Sequence, residues 1–218
     1  MKNYIIDCKF TFYVKFKNLE LFIAEMSKCF EILNIKETAL IHIPKHIRIS
    51  DDKLKTVPLY EIEIKGKEYL ILLAEEAIIV SIKNNKYTSW EKSFKPFLEE
   101  VSIILNFSSI LEFNKISLQY IDFFEFNIFE KGEVQCKNIN AQDKIFLKSS
   151  YSKDYVIISK ILTNEGRFKE KIGSIVDITT TAECKKEKFL TLIDTLHDKN
   201  INEFKRLIPD EIVRELGL

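Results

Sequence analysis

From Ile6 to Phe16 the chain alternates without a break. Ile6, Cys8, Phe10, Phe12, Val14 and Phe16 fall on one parity, and Asp7, Lys9, Thr11, Tyr13 and Lys15 on the other. A period of two is the mark of an extended strand, whose successive side chains point to opposite faces. Three Phe on one side commit this stretch to a sheet with one face on an aromatic core. The period then changes. Asn18 is placed to cap a helix in which Leu19, Phe22, Ile23, Met26, Phe30 and Leu33 recur at intervals of three and four, so that one stripe packs on the sheet.

Ala39–Ile49 follows, then a polar loop at Asp51–Lys55 closed by Pro58. In "LYEIEIKGKEYLILLAEEAIIVSIK", Ile62 and Ile64 alternate with Glu61, Glu63 and Lys65, and Gly66 stands where a hairpin must turn. Tyr69–Leu73 and Ala77–Ile82 continue as antiparallel strands. The only tryptophan opens the next helix: Thr88 and Glu91 have capping-box spacing, and Trp90, Phe94, Phe97, Leu98, Val101, Ile104 and Leu105 share one face. Trp90 is therefore an anchor of this helix onto the sheet, with its indole edge a candidate binding surface. Pro96 within the stripe is expected to kink it.

The second half opens on another long strand, Asn114–Phe129, in which Asp122 interrupts the parity of Ile116, Leu118, Tyr120, Phe124, Phe126 and Ile128. A loop at Glu130–Asp143 with Gly132 precedes strands at Lys144–Ser150, Tyr155–Leu162 and Ser174–Thr181, and Thr163–Lys171 reads as an exposed, mobile tip. Phe189, Leu192, Ile193 and Leu196 mark a helix. Asn200 with Glu203 reads as the cap of a second helix, Pro209 as the first turn of a third, and Gly217 as its stop. The fold class is α+β, with antiparallel sheets and packed helices. Two subdomains sharing an interface are expected, 1–110 and 111–218, each opening on a long strand.

Composition excludes several functions. Lys plus Arg and Asp plus Glu are both 33 in 218 residues, so the field that favours nonspecific nucleic-acid binding is missing. "KKEK" at Lys185–Lys188 reads as a solvated face opening a helix rather than a phosphate site. Cys8, Cys29, Cys136 and Cys184 are scattered without a C-x-x-C pair, the pattern of reduced thiols in a cytoplasmic protein rather than a disulfide frame or zinc site. Asp7 and Lys9 interrupt any apolar start, so neither a signal peptide nor a membrane span is expected.

Catalytic patterns are equally thin. The five glycines, Gly66, Gly132, Gly166, Gly173 and Gly217, do not cluster, which removes the P-loop and the dinucleotide fingerprint. No G-x-S-x-G or H-E-x-x-H occurs. His42 and His46 on one strand would stand about 13 Å apart, too far to share an ion, and read as surface residues. His197 suits the late turns of a helix. Neither metal nor cofactor is expected. Asp122 is the acid that stands out, because on an unbroken strand it faces the apolar side at a cost. Either a functional partner satisfies it or a bulge near Ile121 turns it outward, and the bulge or a capped structural acid is the favoured expectation. Glu61 with Glu63, Glu75 with Glu76 and Glu99 with Glu100 read as solvated faces.

Three segments together resemble a sporadically distributed, uncharacterised family of bacterial and archaeal proteins. They are Tyr87, Trp90 and Phe94 as Y-x-x-W-x-x-x-F; Gln119, Tyr120, Ile121 and Asp122 where the family tends to arginine-tyrosine-isoleucine-asparagine; and Leu196, His197 and Phe204 as a C-terminal pattern before an acidic turn and a final Leu-Gly. Gln119 and Asp122 depart from that family pattern and put any anion site built on its arginine in doubt. The family's patchy occurrence implies accessory genes, such as defence or toxin–antitoxin loci. The order of the second half also resembles SecB-like export chaperones.

The leading expectation is thus a non-enzymatic, cytoplasmic protein-interaction or regulatory module that binds a protein partner or itself as a homo-oligomer. The alternatives are a chaperone for extended peptides, with apolar surface near Phe123 and Phe129, and a small-ligand sensor or enzyme around Asp122. Trp90, Gln119, Tyr120, Asp122 and His197 are the candidate binding residues.

Overall fold

A computed structural model describes residues 4–83, 87–131 and 143–215; Gly132, Cys136 and Gly217 lie outside them. The elements are β1 (Ile5–Phe16), α1 (Leu19–Cys29), β2 (Ile32–Glu37), a 3₁₀ turn (Ala39–His42), α2 (Lys45–Ser50), β3 (Tyr60–Ile64), β4 (Tyr69–Leu73) and β5 (Ala77–Ile82). A π-helical turn (Trp90–Phe94), α3 (Lys95–Val101) and a 3₁₀ turn (Ser102–Asn106) lead to β6 (Ile110–Phe124) and α4 (Ile128–Lys131). Then come β7 (Phe146–Lys153), β8 (Val156–Phe168), β9 (Lys171–Glu183), a 3₁₀ turn (Lys186–Lys188), α5 (Phe189–Leu207) and α6 (Asp210–Glu215). The fold is α+β, a nine-stranded antiparallel sheet in the order β2-β3-β4-β5-β1-β6-β9-β8-β7. Among the described residues no helix is long and apolar enough to cross a membrane.

The chain divides into two compact units. The first comprises Lys9–Ser117 and Glu183–Leu192; the second comprises Met1–Cys8, Leu118–Ala182 and Ile193–Leu218. The divisions fall inside β1, β6, β9 and α5 rather than in a linker.

In the first unit the alternation of β1 is realised as read: Phe10, Phe12 and Val14 are buried, and Phe10 pairs with Val80 and Phe12 with Ile78 of β5. Asn18 caps α1 by accepting from the Leu21 N–H at 2.7 Å. The helix stops at Cys29, and Leu33 belongs to β2 instead of the helical stripe. Phe30 turns extended and hands the chain to Ile32–Glu37, which pairs with β3. Gly66, at φ 71°, closes the β3–β4 hairpin at the position expected of it. Ala39–Ile49 forms a 3₁₀ turn and a short helix, on which His42 and His46 are both exposed.

The Trp90 helix starts one residue later than its capping-box spacing suggests. Ser89 is the cap and accepts from the Lys92 N–H at 3.1 Å, while Thr88 shares its hydroxyl with Ser93 at 2.6 Å. Pro96 lacks the N–H that an α-turn would send back four residues. The preceding turn widens accordingly, and the Phe94 N–H reaches Ser89 O at 3.2 Å.

In the second unit β6 ends at Phe124, short of the expected strand end at Phe129, and Ile128 opens a helical turn whose N–H donates to Ser174 Oγ at 3.0 Å. Thr163–Lys171 is mostly strand rather than an exposed tip: β8 and β9 pair along it, with Gly166 opposite Gly173. Gly173 is required there, because a Cβ would stand 2.1 Å from Phe124 O. The C-terminal helices also differ from the reading. α5 runs unbroken from Phe189 to Leu207, so Asn200 is no cap. Its side chain is buried and donates to Ile178 O at 2.8 Å and Leu118 O at 3.4 Å. Pro209 does open α6, accepting from the Ile212 and Val213 N–H groups.

Candidate functional site

β6 carries three of the predicted residues into the second unit, and α5 brings the fourth. The Tyr120 hydroxyl lies 3.1 Å from His197 Nδ1, and the two rings meet edge to face at 5.9 Å. Gln119 Nε2 donates to both oxygens of Asp177 on β9, at 3.0 Å each. Asp122 is only 3% exposed. It stays on the buried parity with Leu118 and Tyr120, so the outward bulge expected near Ile121 does not occur. Burial pushes its carboxyl up to about 8, and the charge of Asp177 adds to the effect. At neutral pH Asp122 is thus mostly an uncharged acid. The fifth candidate, Trp90, belongs to the first unit, where it is 4% exposed and meets Phe94 edge to face at 5.8 Å.

A further polar centre of the second unit is built on Glu203, a residue the sequence reading took for part of a helix cap. Glu203, on α5, is 2% exposed. Its carboxylate accepts from the Tyr151 hydroxyl at 2.6 Å, from Arg206 Nη1 at 3.1 Å and from Lys160 Nζ. Burial alone would raise this carboxyl, but the hydrogen bonds from Lys160 and Tyr151 outweigh it and hold the group below its ordinary range. The same burial, with the bond to Glu203, raises the Tyr151 phenol. Tyr151, Lys199, Glu203 and Arg206 line a cleft of about 230 Å³. Its charges are largely matched in place: Lys199 pairs with Asp154, and Glu203 with Lys160 and Arg206. A closed ion network of this kind orders β7, β8 and α5 and leaves little charge for a ligand.

Asp122 does not line this cleft. Among the described residues no group of three or more His, Cys, Asp or Glu is arranged to hold a metal ion. Phe123 and Phe129, expected near a peptide-binding surface, are buried at 5% and 8%. Glu75, expected on a solvated face, is buried in the first unit and paired at 2.8 Å with Arg48, whose Nη1 also donates to the carbonyls of Ile41 and Ile43. Tyr120 is thus bonded to His197 and Gln119 to Asp177, and the two pairs tie β6 to α5 and to β9.

Much of the apolar surface that the second unit exposes lies at its edge strand and the turn beside it. β7 pairs with β8 at eight positions and is last in the strand order. The two-residue turn joining these strands holds Asp154 at φ 50° and Tyr155 at φ 66°. Tyr155 is 96% exposed; Ile157, two residues on, is 48% exposed, and Phe146, at the opposite end of β7, 66%. Asp tolerates the left-handed conformation, and Lys199 grips its carboxylate. A tyrosine there is strained, and glycine or asparagine is the usual choice. No family model, curated protein or solved structure matches this chain.

Proposed function

We propose that the chain is a non-enzymatic protein-interaction module, of a regulatory or neutralising kind, whose partner adds an extended segment to β7. Tyr155 is the observation that carries this reading. Its left-handed backbone costs about 1–2 kcal/mol relative to glycine, and its ring gains no burial in return. Neither stability nor solubility accounts for an aromatic side chain placed that way; a large, rigid contact anchor does. Beside it, β7 offers the row of outward N–H and C=O groups that a partner strand uses. Its exposed charges, Lys148 and Lys153, are both basic, which favours an acidic segment over a second copy of the same strand.

Tyr155→Gly separates the two roles. Relief of strain raises stability by about 1 kcal/mol, or about 2–4 °C in Tm, while capture of the partner from the native host, or self-association by light scattering, is lost. Retention of the same stoichiometric complex by Tyr155→Gly and by Ser150→Pro in β7 would overturn the reading.

A further inference from the structure

The first unit has a larger cleft, of about 750 Å³, lined by three lysines and two glutamates. Cys184 donates its N–H to Asn114 O at 2.8 Å, which holds the chain leaving β9 against β6. Side chains from the two segments therefore converge: Phe113, Asn114 and Lys115 from one, Cys184, Lys185 and Lys188 from the other. Among the described residues none of the three lysines is in an ion pair. Lys115 is placed by the face of Tyr13, 3.9 Å from the ring centroid. Of the two carboxylates in the cleft, Glu112 is bound by Lys15 at 2.6 Å and by Asn114 at 3.1 Å, which leaves Glu183. Burial pushes the Cys184 thiol up to about 11, with a smaller push from Glu187, so the sulfur stays protonated and carries no charge to repel an anion.

We infer that this cleft binds an organic phosphate of nucleotide size, with the phosphates on Lys115, Lys185 and Lys188 and a flat ring on Phe113. Lysines are compact point charges suited to phosphate oxygens, and a concave surface focuses their field. Phe113 is half-buried, packed on one side against Phe12 at 6.3 Å between centroids, which leaves a face for stacking worth about 1–3 kcal/mol. The volume lies in the usual range of small-molecule sites, about 300–1,000 Å³. The neutral chain disfavours an extended nucleic acid in this role.

Calorimetric titration of the full chain with ADP tests the inference, with adenosine and with pyrophosphate as separate arms. ADP is expected to bind saturably with Kd below about 1 mM, more tightly than either fragment, and more weakly as salt rises. The exposed pair Lys185→Glu and Lys188→Glu is expected to weaken it at least about tenfold with the melting curve unchanged, and Phe113→Leu to bring ADP down to the level of pyrophosphate. No saturable ADP binding, or binding indifferent to the two lysine changes, overturns it; so does pyrophosphate binding as tightly as ADP, which marks a simple anion patch. Tyr155→Gly leaves this titration unchanged, so its failure and that of the β7 interface are distinguishable.

Discussion

In the first unit β1 leads through α1 into β2–β5, and β5 returns to pair with β1; in the second, β6 leads into β7–β9, and β9 returns beside β6. The plan is shared, and among the described residues each unit buries five polar or charged side chains, Arg48, Glu75, Ser81, Ser109 and Ser117 in the first; what differs is where they lie. Every residue of β5 itself is buried and all but Ser81 are apolar, and Phe10, Phe12 and Phe189 are in mutual ring contact. Around β6 and β9 the buried set includes Asp122, Ser174, Thr180, Asn200 and Glu203. Hydrogen bonds of the sheet are indifferent to this choice, but side chains are not: each buried polar group needs its own partner. Thr180 finds Leu118 O and Leu196 O, and Asn200 finds Leu118 O and Ile178 O, so polar atoms pin α5 to the sheet. Apolar packing sets how stable such a layer is; the polar contacts set where the helix can sit along it.

The strongest test of that contrast removes one buried carboxylate from each unit. Glu75→Ala leaves Arg48, only 9% exposed in its side chain, as an uncompensated charge, and is expected to cost about 3–5 kcal/mol in denaturant unfolding. Glu203→Ala strands Lys160 at 17% exposure but leaves Arg206 in solvent at 68%, so its cost is expected to be smaller, about 2–3 kcal/mol. Equal costs would mean that the second interior is as closed to water as the first.

Asp122 gives the next effect, and its direction is opposite. The folded carboxyl titrates near 8 and the unfolded one near 3.8. Between those values the folded chain keeps a proton that the unfolded chain has lost. The stabilising contribution is therefore complete below about pH 4 and disappears as pH rises through about 8. Asp122→Asn removes that proton linkage. It is expected to stabilise the chain at pH 9 and hardly at all at pH 4, measured as Tm against pH. A gain that is the same at both pH values would show that Asp122 is ionised in the fold.

How much of this was legible in the sequence differs between the units for the same physical reason. Period-two alternation in β1, the Asn18 cap and the Gly66 turn are local signals, and each stands where it was read. Asn200 and Glu203 look like a cap because the capping pattern is local too. They sit in a helix interior because Phe189, Ile193, Leu196, Asn200, Glu203 and Leu207 continue one stripe at intervals of three and four. Following that period through polar residues would have found them. Glu75 had no such signal: its partner Arg48 is 27 residues away, and only the fold brings them together. Of the candidate residues, Tyr120, Gln119, Asp122 and His197 lie in one unit and Trp90 in the other, and Asp177 went unremarked among strand residues. Tyr155 was visible only as a strand's first residue, since its exposure and positive φ come from the turn.

The smallest expected effect is the counterpart of Asp122 in the first unit. Glu25 on α1 receives the side-chain and backbone donors of Ser109 and Ser108, with Ser108 Oγ at 2.7 Å and the two N–H groups at 3.0 and 3.1 Å. These bonds, that from the Ser109 hydroxyl foremost, hold its carboxyl down to about 2 from 4.5. Here the unfolded chain takes up a proton first as pH falls. The contribution is complete above about pH 4.5 and is lost as pH drops towards 2. Glu25→Gln is expected to flatten the acid limb and leave the alkaline limb, which belongs to Asp122, untouched; Asp122→Asn does the reverse. Hydrogen exchange followed at pH 3 and pH 9 assigns each limb to its unit. Protection around α1 should fall first in acid, and protection around β6 and β9 first in base. Loss of both regions together at each extreme would show that the two interiors unfold as one.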